Sequence, residues 1–96
     1  MGFSCSNEQV DESIIEKSSM VEIIADMELA NGTRIMLEVG KKPSKEVLFN
    51  TIYNNHHITK QDFDKSLLHY SKKPKEMEQI YNDVITVLSQ KQASFN

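Results

Sequence analysis

From Ser18 onward, apolar and polar positions repeat with a helical period. Met20, Ile23, Ile24, Met27 and Ala30 follow the i, i+3, i+4, i+7 spacing of a helix with one buried face. Ser19 and Glu22 are spaced as a capping box, in which hydroxyl and carboxylate each take a free amide. Asn31-Gly32 interrupts the stretch, because glycine inside a helix costs about 1 kcal/mol relative to alanine. Apolar positions return at Ile35, Met36 and Val39. The pattern predicts one long helix over 18–39, weakest at Asn31-Gly32. Its rival is a helix that ends there, followed by a second turn capped by Thr33.

Gly40-Lys41-Lys42-Pro43 reads as a stop and a restart, with Gly just past one helix and Pro opening the next. A second helix then carries Val47, Leu48, Ile52 and Tyr53, and ends in Asn54-Asn55-His56-His57. Thr59 is a good N-cap for a third, with Asp62 facing the free amides and Ile58–Phe63 spaced as a staple. Phe63, Leu67 and Tyr70 continue its apolar face. After Ser71-Lys72-Lys73-Pro74, a fourth helix is predicted over 75–91. Met77, Ile80, Tyr81, Val84, Val87 and Leu88 form its inward stripe. No stretch alternates with period two. The expectation is an all-α, compact, antiparallel bundle of about four helices with short connections. Helices one and four should supply most of its core.

Residues 1–12 are polar and carry no apolar period, so 1–15 reads as a flexible tether. Residues 16–92 read as one helical domain and 93–96 as a disordered tail. A chain of 96 residues with 39% hydrophobic content is sufficient for one small core.

The formal charge of −3 and the pI near 5.5 argue against a nucleic-acid partner. That charge is unevenly placed. Residues 1–38 hold eight acids and two bases, and residues 39–96 hold six acids and nine bases. A single cysteine, Cys5, forms no internal disulfide, and no run approaches the roughly 18 apolar residues of a membrane span. Met1 to Ser4 cannot supply a signal peptide. Two expectations follow: the protein stays inside the cell, or the chain has lost an export signal.

Several stretches resemble one family. They are Ile24-Ala25-Asp26-Met27-Glu28-Leu29-Ala30, Ile52 through Thr59, Phe63 to Tyr70, and Pro74 to Val84. The chain resembles, over about residues 15–90, the small lipoproteins typical of Bacteroidetes grouped as domain of unknown function 4296. The matching positions are Asp26, His56, Ile58, Thr59, Phe63, Ser66, Leu67, Tyr70, Pro74, Ile80, Tyr81 and Val84. Two positions depart: Glu28 stands where the family often has His, and His57 where it often has Gly. The second places a Cβ at an expected left-handed position, so Asn55 or His57 should have positive φ. The resemblance implies architecture and an envelope location. It implies no activity.

Candidate chemistry is sparse. His56, His57 and His69 lack the i, i+4 spacing that aims two rings at one ion, so no metal site and no cofactor is expected. Asp26 and Glu28 diverge by about 200° on a helix, which defeats a two-carboxylate reading. Asp26 instead lies beside the apolar face, with Tyr70 or Tyr81 as its expected hydrogen-bond partner. Ser66 and His69 at i, i+3 have no nucleophile elbow around them, so Ser66 reads as a small residue at a helix contact. Tyr53, Tyr70 and Tyr81 read as core rings. Lys72, Lys73 and Lys75 read as a solvated loop, and Met20, Met27, Met36 and Met77 as core filling. Asp26, His56, Ser66, Tyr70 and Tyr81 together are the candidate polar cluster.

Three functions compete. The first is a lipid-anchored, non-catalytic binding module of the cell envelope, attached to the membrane through Cys5, with a protein partner that the sequence does not identify. The second is an intracellular adaptor, since Met1-Gly2 with Ser6 fits N-myristoylation and Cys5 would be palmitoylated. The third is a ligand-binding or enzymatic domain that uses the Asp26, Tyr70 and His56 region.

Overall fold

The computed structural model describes residues 13–36, 40 and 43–95. Cys5 and the first twelve residues of the expected tether lie outside that set. The described chain is an all-α bundle of four helices: α1 (Lys17–Met36), α2 (Lys45–Asn55), α3 (Lys60–Ser71) and α4 (Pro74–Phe95).

Helix α1 passes unbroken through Asn31-Gly32. Glycine is tolerated there because packing holds the part of the helix that precedes it, where Met20, Val21, Ile23, Ala25 and Met27 are all buried. The start at Lys17 puts Ser19 inside the first turn, so it does not cap the helix as expected. Residues 37–39, the expected end of this helix, are not among those described.

Gly40 has φ 91°, the left-handed geometry of a chain reversal. Pro43 does not open α2 as expected but stands two residues ahead of its first residue, Lys45. Ser44 is the N-cap of α2, and its hydroxyl accepts from the Val47 amide at 3.1 Å. Thr59 and Asp62 form a complete capping box at α3. His57 has φ 59°, the positive value expected for the turn that ends α2. Helix α4 runs past 91 to Phe95, so the expected tail is helical through residue 95. Gln90, Lys91, Gln92 and Ala93 favour a helix and include no breaker.

Long helices α1 and α4 make the most extensive contact in the bundle, and α2 packs on α1. They run in the same direction. Lys17 near the start of α1 reaches Gln79 and Glu76 of α4, while Asp26 further along faces Lys91. The antiparallel expectation therefore fails for this pair, and the lengths explain why. Helices α2 and α3 have 11 and 12 residues, against 20 and 22 for α1 and α4. The two short helices together make one return path. His56 at the end of α2 meets Asp26 midway along α1, whereas Ser66 and Tyr70 of α3 meet the backbone of Ile15 before α1 begins.

Ile52 and Tyr53 of α2, Phe63 and Tyr70 of α3, and Ile80 and Val84 of α4 complete the core. Tyr53 and Phe63 join the two short helices, with ring centroids 5.7 Å apart. Tyr81 departs from the expected stripe and is 58% exposed. It lies on the flank of α4, beside rather than on the line through Met77, Ile80 and Val84.

Candidate functional site

The expected polar cluster divides into two groups and one outlier. The first group fastens the chain ahead of α1. Ser66 is completely buried; its hydroxyl accepts from the Ile15 amide at 2.8 Å and donates to the Asp62 carbonyl at 2.7 Å. The Tyr70 hydroxyl donates to the Ile15 carbonyl at 2.6 Å. Both backbone groups of Ile15 are thus held by α3, as a strand neighbour would hold them. Lys65 adds a bond to the Ser13 hydroxyl at 2.7 Å. Burial, and then the negative charges of Glu76 and Glu16, push the Tyr70 hydroxyl above its ordinary pKa. It stays protonated and donating.

The second group joins three helices. The Asp26 carboxylate accepts from His56 Nε2 at 2.8 Å, and Lys91 Nζ lies 3.5 Å from its other oxygen. Asp26 is half-buried, as expected, but its partner is His56 rather than a tyrosine. His56 caps α2, and its backbone amide donates to the carbonyls of Ile52 and Tyr53. The left-handed turn at His57 then carries the chain toward Ile58. That cap fixes where the ring can reach. Tyr81 belongs to neither group.

An open groove of about 460 Å³ lies beside the second group. Ile14, Ile15, Ile23 and Ile58 supply its apolar lining. Glu16, Ser19 and His56 supply its polar side. Three separate segments meet here: the strap over residues 13–15, the first turns of α1, and the turn after α2. The sequence reading missed Ile14 and Ile15, which it placed in the tether. Their signal was two adjacent β-branched residues within an otherwise polar run, too short to show a period. It also missed Lys91, whose approach to Asp26 depends on α1 and α4 being parallel.

The remaining candidates stand apart. Glu28 is exposed and away from the groove. His69 packs edge-on against Tyr70, 4.9 Å between centroids. Lys73 and Lys17 flank Glu76 at 3.8 Å each, while Lys72 and Lys75 are exposed. Met20 and Met27 are core residues, and Met77 packs against that core. Among the described residues, no group of three or more His, Cys, Asp or Glu side chains is placed to hold a metal ion.

A family model described as domain of unknown function (DUF4296) matches residues 12–94. The chain belongs to that family. The match spans the strap, the groove and all four helices. No curated protein and no solved structure matches the chain.

Proposed function

We propose that this family member is a lipid-anchored, non-catalytic binding module of the bacterial cell envelope, of the kind found in Bacteroidetes. The groove between the strap and the α2–α3 turn carries the binding half of this reading. Its volume falls within the range that small-molecule sites occupy, and it combines an apolar lining with few polar groups. The hydroxyls of Ser66 and Tyr70 are bonded to backbone, so neither is a free nucleophile or acid. Asp26 and His56 hold each other and Lys91, which is the arrangement of a positioned wall.

The sequence at Cys5 supports the anchoring half. Gly2-Phe3-Ser4-Cys5 resembles the end of a lipoprotein cleavage signal, with small Ser4 before the cysteine, and departs from it at Gly2. Each buried acyl methylene contributes about 0.8 kcal/mol, so two or three chains hold a small domain firmly on a membrane. No helix among the described residues is long and apolar enough to cross one.

Fractionation of the native full-length gene product in its own host, beside Cys5→Ala, tests the anchor. Wild type is expected with the membranes and the variant in the soluble fraction. A free Cys5 thiol by mass spectrometry overturns the anchoring reading. A myristoylated Gly2 replaces it with the intracellular adaptor.

A further inference from the structure

The one charged side chain that lines the groove beside Ser19 and His56 is acidic. His56 is engaged through Nε2 with Asp26. Glu16 contributes a carboxylate with no ion pair among the described residues. The Ser19 hydroxyl both donates and accepts. Asp26 is already balanced by Lys91, which leaves Glu16 as the one uncompensated formal charge on the lining.

Two helix ends also meet at this place. The start of α1 contributes a partial positive field, and the end of α2, at His56, a partial negative one. The two oppose each other, so the full charge of Glu16 sets the sign. A ligand that suits the groove brings a positive charge on an aliphatic body. Size narrows the class further. A stable protein interface needs roughly 800 Å² from each partner, more than seven lining residues supply.

We propose that the groove binds a small aliphatic ammonium compound, with its hydrocarbon against Ile14, Ile15, Ile23 and Ile58 and its cation at Glu16. This rests on the binding reading above and names the ligand class for the same groove. Hexylamine, an ammonium ion at neutral pH, is the probe, with hexanoate and hexanol as the comparisons. In ¹H–¹⁵N spectra of the intact chain, hexylamine should shift the Ser19 and Ile58 amides at the lowest concentration of the three. Exposed Glu16→Gln should weaken its binding by roughly fivefold, the scale of one charge-assisted hydrogen bond in a wet site. Glu28→Gln, exposed but outside the groove, should leave it unchanged.

If hexanol or hexanoate binds as tightly as hexylamine, the ligand class is wrong and the groove remains a binding site. If none of the three moves these amides, the binding reading fails with it. Equal weakening by both glutamine variants would reveal general surface attraction and overturn the proposal.

Discussion

Ser66 with Tyr70 and Asp26 with His56 look alike in the sequence, as polar residues beside apolar stripes, yet they do different work. Ser66 and Tyr70 are buried, and their partners are backbone groups of one residue, Ile15. Losing either hydroxyl strands a partly buried amide or carbonyl of Ile15, which is the costly side of hydrogen-bond energetics. Asp26 and His56 are partly exposed, and water can replace each for the other. The first pair is a structural lock. The second lies at the edge of the groove, which His56 helps to line. A buried polar pair therefore gives stability here, and a half-buried one lies open to solvent beside the groove.

Breaking the lock should have the largest effect. Ser66→Val removes the acceptor of the Ile15 amide and adds bulk where none is exposed, so a loss of about 3 kcal/mol is expected in denaturant unfolding. A loss below about 1 kcal/mol would mean that the strap is not part of the cooperative unit. Tyr70→Phe should cost about 1–1.5 kcal/mol at neutral pH by freeing the Ile15 carbonyl.

Alkaline pH sharpens the contrast. Burial raises the pKa of Tyr70, and likewise of Tyr53, above the ordinary value of 10.0. Ionisation then favours the unfolded chain. The stability these hydroxyls contribute is complete below pH 10 and is lost as pH rises through the folded-state values. A plot of unfolding free energy against pH should fall more gently for Tyr70→Phe than for wild type above pH 10. Parallel curves would show that Tyr70 is not the titrating group.

The second pair should yield far less. Asp26→Asn is expected to cost no more than about 1 kcal/mol, and an Asp26/His56 double-mutant cycle should return a coupling of the same small size. A coupling of several kcal/mol would make this pair a second lock. Smallest is His57→Gly. At φ 59° glycine relieves the Cβ strain, and the melting curve should show a gain of up to about 1 kcal/mol. A marked loss would reveal contacts made by the His57 ring.

Much of the bundle was legible because helical period and caps are local. The Met77–Ile80–Val84 stripe and the Thr59 cap with Asp62 each follow from residues within one or two turns, while the positive φ at His57, expected there or at Asn55, came from the family resemblance. Tyr81 shows the limit of that method. It lies at the margin of the α4 stripe, and only the direction of approach of the neighbouring helices leaves it exposed.

The sequence by itself determined that there are helices, four of them, and roughly where each begins. It also carried the family. The tertiary structure decided the parallel course of α1 and α4, the docking of Ile14 and Ile15, and the pairing of Asp26 with His56 and Lys91. A helix depends on contacts three and four residues apart, which a period records. Asp26–His56 and Ile15–Ser66 span 30 and 51 residues, and no spacing in the chain encodes such a meeting. The groove exists only where those distant segments close on one another.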